Sequence, residues 1–85
     1  MIIYPTSQFK KSYRGLPNGI KKKAEIKDRL FRNNSFNPVL RTHKLKGRLT
    51  NYWSYSVDKN YRVLFRFINR NEVIYFNIGT HDVYK

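Results

Sequence analysis

Three runs of β-branched and aromatic residues crowd the C-terminal half of the chain, at residues 52–57, 61–68 and 72–78. In the first, Trp53, Tyr55 and Val57 share one phase against Tyr52, Ser54 and Ser56. In the second, Tyr61, Val63, Phe65 and Phe67 alternate with Arg62, Leu64, Arg66 and Ile68. The third is apolar in both phases, with Val73 and Tyr75 on one and Ile74, Phe76 and Ile78 on the other. Alternation predicts strands with one covered face, and apolarity in both phases predicts a central or doubly covered strand. Asp58-Lys59-Asn60 and Asn69-Arg70-Asn71 separate the runs. Short polar breaks of this kind, with Asn able to take φ > 0, predict hairpin turns. The result is a three-stranded antiparallel meander, which needs a cover on one face to be stable.

The N-terminal half supplies that cover. Residues 1–4 are apolar and stop at Pro5, which predicts a brief strand. Thr6 and Ser7 are candidate helix caps, and Phe9, Tyr13 and Leu16 follow at the spacing of one helical face. Pro17-Asn18-Gly19 breaks this helix, and a second is predicted from about residue 20 to 32. There Ile20, Ala24, Ile26, Leu30 and Phe31 fall in one arc of about 160° at 100° per residue, with the cations mostly outside it. Asn33-Asn34-Ser35 and Asn37-Pro38 end it. Residues 38–50 show no period and read as a connecting loop anchored by Val39, Leu40, Leu45 and Leu49. That loop is basic and carries His43, which makes it a candidate functional edge. The whole chain, 1–85, reads as one α+β domain in the order β-α-α-β-β-β, an antiparallel sheet with two N-terminal helices packed on one face.

Composition narrows the chemistry. Seven Tyr, six Phe and one Trp let 85 residues bury a core of useful size. With no cysteine there is neither a disulfide framework nor a thiolate zinc site. His43 and His81 are the only histidines and carboxylates are few, so no metal and no cofactor are expected. No apolar run has the length of a membrane span and no signal-peptide pattern opens the chain, so a soluble cytoplasmic protein is expected. The charge changes the picture most. The net is +13, and residues 1–50 hold thirteen basic residues against two acidic ones. A surface this positive calls for a polyanion, either nucleic acid or an acidic protein.

Three segments in order, His43-Lys44-Leu45-Lys46-Gly47, Tyr61-Arg62-Val63-Leu64-Phe65 and Gly79-Thr80-His81-Asp82-Val83-Tyr84, resemble the RelE/ParE toxin superfamily, closest to its RelE and YafQ-like branch. The resemblance implies the toxin of a type II toxin–antitoxin pair, a ribosome-dependent endoribonuclease that cuts mRNA without metal. The implied partners are a cognate antitoxin, the ribosome and mRNA. Metal-free cleavage needs a base for the attacking 2′-hydroxyl, an acid for the leaving oxygen and a cation for the charge that builds on phosphorus oxygens.

The resemblance also implies roles for single residues. His81 matches a C-terminal active-site histidine and Arg62 the arginine of the Tyr-Arg-hydrophobic strand motif, suited to hold the scissile phosphate. Tyr84 matches a tyrosine that stacks on a base or takes part in catalysis, and His43 the histidine of a His-x-Leu-x-Gly loop. Lys44, Lys46 and Arg48, with Lys21, Lys22 and Arg66, are candidate contacts to RNA or ribosome. The chain departs from the pattern where RelE-like members carry two lysines, here Ser54 and Ser56. It departs too where YafQ-like members carry a second His and an Asp, here Ser56 and Asn60. Two other readings follow: a ParE-like inhibitor of DNA gyrase, and a member that binds ribosomes or RNA without cutting.

Overall fold

The computed structural model describes residues 1–84. Their elements run β1 (Ile2–Pro5), α1 (Ser7–Arg14), α2 (Asn18–Asn33), β2 (His43–Lys44), β3 (Trp53–Ser56), β4 (Arg62–Asn69) and β5 (Glu72–Gly79). A 3₁₀ turn, His81–Tyr84, follows β5, and two more, Pro38–Leu40 and Gly47–Leu49, flank β2.

Thr6 starts α1. Its hydroxyl oxygen accepts from the Phe9 amide at 3.1 Å, satisfying a donor that a helix start leaves open, and its O–H donates to the Phe76 carbonyl at 3.0 Å. One side chain therefore caps the helix and ties it to the sheet. Phe9 of α1 and Phe31 of α2 then meet Tyr55, Phe65 and Tyr75 with ring centroids 4.8–5.9 Å apart, which seats both helices on one sheet face as expected.

The sheet is mixed and five-stranded, in the order β1-β5-β4-β3-β2. The β3-β4-β5 meander is its antiparallel centre, but two expectations are corrected. β1 runs parallel to β5, pairing Ile2 with Glu72 through Pro5 with Tyr75. Parallel neighbours need a long crossover, and everything between β1 and β5 supplies it. Residues 38–50, expected as loop throughout, contribute β2, whose His43 and Lys44 pair with Ser54 and Trp53. A strand of two residues has no period to read. Of that segment's expected anchors Leu40 is buried, but Val39 is exposed.

Two further corrections concern which side chains face inward. Ile26, placed on the inner arc of α2, is 50% exposed. The covered face is rotated toward Ala24 and Phe31, and Lys27 and Asp28 occupy its flank because both have partners there. Lys27 Nζ donates to the Val57 carbonyl at 2.9 Å, and Asp28 accepts from the Tyr75 hydroxyl at 2.7 Å. In β5 the register passes from Leu64↔Asn77 to Phe65↔Tyr75, so a bulge takes up Phe76. The bulge moves Ile78 into the core with Val73 and Tyr75, instead of with Ile74. The hairpin turns also close differently from expectation. Arg41 is the one non-glycine residue with positive φ among those described, so no Asn takes that conformation. The Asp58 carboxylate instead accepts from the amides of Asn60 and Tyr61, and the Asn69 side-chain oxygen from the amide of Asn71.

The Tyr55 and Tyr75 hydroxyls lie 3.0 Å apart inside the core. Tyr75 gives its proton to Asp28, so Tyr55 donates to Tyr75. Burial pushes both phenols far above their ordinary 10.0, and both stay protonated.

Candidate functional site

The helices cover one face of the sheet, and Arg62, His81, Tyr84 and His43 gather on the other. Arg62 opens β4 and sits level with Ser56 on β3 and Gly79 on β5. Residues level across a sheet share a face, so Arg62 and Ser56 face the same way, as do His43 and Ser54. The chain then has to bring its last turn over this face, and Gly79 allows it. A Cβ on Gly79 would lie 3.1 Å from Val83 Cγ1, and the buried Val83 anchors the His81–Tyr84 turn at that spot.

The turn delivers two rings to Arg62. The Tyr84 hydroxyl donates to Ser54 Oγ at 2.7 Å, fixing the phenol flat enough that the Arg62 guanidinium lies 5.5 Å from its centroid. His81 meets Tyr84 edge-on at 5.0 Å, and Arg62 Nη1 donates to His81 Nδ1 at 3.3 Å. The Arg62 Nε–H is buried and has no partner among the described residues, while the fork of the same group faces the site. An open cleft of about 350 Å³ lies against Arg62 and His81, with Lys59, Asn60, Tyr61 and Thr80 as its other walls.

Hydrogen bonding fixes which nitrogen of each neutral imidazole carries the proton. An arginine only donates, so His81 Nδ1 accepts and Nε2 carries the hydrogen. A carbonyl only accepts, so His43 Nδ1 donates to the Arg41 carbonyl at 2.9 Å and its Nε2 keeps a free lone pair. The two rings thus present opposite faces of the same chemistry, one a donor and the other an acceptor.

The structure divides the remaining expected residues. Arg62, His81 and Tyr84 come together, and His43 lies one strand beyond Ser54 on their face. Arg66 is on that face too, two alternations further along β4, and exposed. Lys44 is level with Trp53, which puts it on the helix-bearing face, away from Arg62. Lys46 and Arg48 are exposed in the connection from β2 to β3. Lys21 and Lys22 belong to α2 in the helix layer, where Lys21 Nζ lies 5.8 Å from the Tyr13 ring. Two contributors escaped the sequence reading, Ser54 as the acceptor for Tyr84 and Lys59 as a wall of the cleft. A small polar residue in an aromatic strand was the signal at Ser54, but its partner thirty residues on was not visible. Among the described residues no three His, Cys, Asp or Glu side chains come close enough to share a metal ion. No described helix is long and apolar enough to cross a membrane.

No protein-family model and no curated protein sequence matches this chain. Solved structures do. YafQ from Escherichia coli superposes with a TM-score of 0.79 at 19% identity, over 96% of this chain and 94% of that one. A YoeB/ParE toxin from Agrobacterium tumefaciens gives 0.79 at 18%, over 95% and 99%. The E. coli DinJ–YafQ toxin–antitoxin complex gives 0.76 at 20%, over 95% and 92%. The fold is that of the RelE-like toxins. At such identities the likeness carries the architecture, and the open face of the RelE-like sheet has to be judged on its own side chains.

Proposed function

We propose that this protein is the toxin of a type II toxin–antitoxin pair, and that it inhibits translation by cutting mRNA on the ribosome. The observation that carries the reading is the convergence of Arg62, His81 and Tyr84 on the open face of a RelE-like sheet, beside a basic cleft. Arg62 leaves His81 for the scissile phosphate, where its fork neutralises the charge that grows in the transition state. His43 Nε2 takes the proton of the 2′-hydroxyl, the 2′-oxygen bonds to phosphorus, and the bond from phosphorus to the 5′-oxygen breaks. His81, with Nδ1 freed from Arg62 and protonated, gives its Nε2 proton to that leaving oxygen. The products are a 2′,3′-cyclic phosphate and a 5′-hydroxyl. Tyr84 holds Arg62 in place and offers the rim of a ring to a base. The ribosome positions the mRNA, an entropic contribution that suits a site with few acid–base groups.

An antitoxin is the natural cover for the apolar side chains left outside. Ile2, Tyr4, Ile26, Phe36, Val39 and Ile68 are all exposed. Phe36, Trp53 and Phe67 form an aromatic cleft with centroids 5.3–6.0 Å apart. An acidic, amphipathic partner segment meets both this surface and the +13 charge.

The test is a purified translation system with mRNA ends mapped by primer extension, for wild type beside Arg62→Ala and His81→Ala. Ribosome-dependent cuts that disappear in both variants support the reading. Translation arrest without cuts would make this a binding protein, in keeping with Ser54 and Ser56 standing where relatives carry lysines. Normal translation would end the mRNA reading and turn attention to inhibition of DNA gyrase.

A further inference from the structure

A second cleft, of about 200 Å³, opens on the other side of Lys59, and its polar lining is Lys27, Arg41, Ser56, Asp58 and Lys59. Its one carboxylate is already spent. Asp58 pairs with Lys23 at 3.4 Å and accepts from the amides of Asn60 and Tyr61 at 2.9 and 2.8 Å. Lys27 Nζ donates to the Val57 carbonyl, a neutral partner that offsets none of the cleft's positive charge. The Arg41 and Lys59 side chains have no hydrogen-bond or ion-pair partner among the described residues, so the cleft presents uncompensated positive charge.

Arg41 is also where the backbone is least comfortable. Its φ of 52° is left-handed, a conformation that glycine takes without strain and arginine rarely adopts. Its amide donates to the Pro38 carbonyl at 3.2 Å and its own carbonyl holds His43, so both sides of the turn are pinned. Residues in strained backbone cluster at binding sites, and here the strained position bears an unpaired guanidinium.

Register connects this cleft to the reaction site. Arg41 stands two residues before β2 and shares the cleft with Ser56, which is itself level with Arg62. The two arginines therefore stand on either side of Ser56. Lys59 walls both clefts, and a chain leaving Arg62 across Lys59 enters the second. We propose that this second cleft binds a backbone phosphate of the RNA strand whose scissile phosphate Arg62 holds. The Arg41 fork and the Lys59 ammonium grip the phosphate oxygens, and the Ser56 hydroxyl adds a neutral donor. The inference rests on the RNA-cleaving reading above and gives it a second point of attachment.

The test is binding of a short single-stranded RNA, 2′-O-methylated so that it is not cut, to the full chain, followed by fluorescence anisotropy across a salt series. Arg41→Gly suits the left-handed backbone and removes the guanidinium together with its stem, and Lys59→Gln removes the ammonium. Each is expected to weaken binding several-fold, and the two combined to flatten the plot of log affinity against log salt by about 0.7, the slope of the one single-strand phosphate contact they share. Lys10→Gln, in the helix layer, is the control and should leave that slope alone. An unchanged slope in the double variant Arg41→Gly, Lys59→Gln would overturn the proposal. So would an equal loss in Lys10→Gln, which would mean diffuse charge. Unchanged RNA binding with lost affinity for a polyglutamate peptide would assign the cleft to an acidic protein and overturn it too. If the slopes respond as expected but wild type cuts no mRNA on ribosomes, the phosphate site stands and the cleavage reading falls.

Discussion

Tyr84 does two jobs that one substitution each can separate. Its hydroxyl bonds Ser54, and its ring supports Arg62. Tyr84→Phe removes the hydroxyl alone and leaves Ser54, 1% exposed, short of a donor. The expected cost is about 1 kcal/mol of stability, read as a lower melting temperature, with cleavage falling by less than about tenfold. Tyr84→Ala takes away the surface under the guanidinium and should cost far more activity than its stability loss explains. A drop on the order of a hundredfold in Tyr84→Phe would instead make the phenol a proton carrier in the reaction. The same reasoning keeps the two histidines apart. Each ring's partner dictates its tautomer, so the roles proposed for them follow from Arg62 and from the Arg41 carbonyl, not from their own identity.

At the scale of elements, the geometry of the proposed site depends on how the last 3₁₀ turn meets the end of β5. Gly79 lacks the atom that would press on Val83. Gly79→Ala therefore asks Val83, and with it His81 and Tyr84, to move by a few tenths of an ångström. The strand gains some stability from losing a glycine, which offsets the crowding, so the net change should stay within about 1 kcal/mol. Cleavage should fall by about tenfold or more, because reacting groups tolerate little misplacement. Adding Val83→Ala relieves the contact and should restore part of the rate. Proportionate losses of activity and stability in Gly79→Ala would show that the turn does not position the site.

The elements themselves were largely readable from alternation. Phe9 and Tyr13, Ala24 and Phe31, and the phase of Tyr55, Val63 and Phe65 all lie where their spacing put them. The failures share one physical cause, partners distant in sequence. Ile26 lost its place to Lys27 and Asp28, whose partners Val57 and Tyr75 sit in strands far along the chain. Ile78 changed phase through a bulge that only the pairing with β4 reveals. β2 exists because Ser54 and Trp53 offer an edge. In the site, the motif-bearing Arg62, His81 and Tyr84 were singled out from the chain. Lys59 and Arg41 were not, since a lone cation in a polar stretch carries no pattern until a cleft gives it neighbours.

For the molecule as a whole, charge and burial set a window of pH stability that closes differently at its two ends. On the acid side, burial alone would raise the Asp58 pKa, but the amides of Asn60 and Tyr61 and the Lys23 ammonium outweigh it and hold the group below its ordinary 3.8. Glu72 is likewise lowered from 4.5, first by the Tyr4 hydroxyl and then by Asn69. A depressed folded pKa gives stability that is present above the unfolded value and lost as pH falls through the folded one. That loss begins near pH 4 and adds to the repulsion of a chain already at +13. The alkaline side works through the core. Burial raises Tyr75 and Tyr55 above 10.0, so their contribution is complete below that value and drains away as pH rises past it. Because a buried phenolate beside Asp28 is so unfavourable, these two phenols ionise only as the core opens. A spectrophotometric titration should therefore show a late tyrosinate step that coincides with loss of near-ultraviolet circular dichroism. Tyr75→Phe should remove one of the two protons from that step and make alkaline unfolding correspondingly less steep in pH. If all seven tyrosines ionise while the circular dichroism stays native, the Tyr55–Tyr75–Asp28 chain is open to water and does not bind the helices to the sheet.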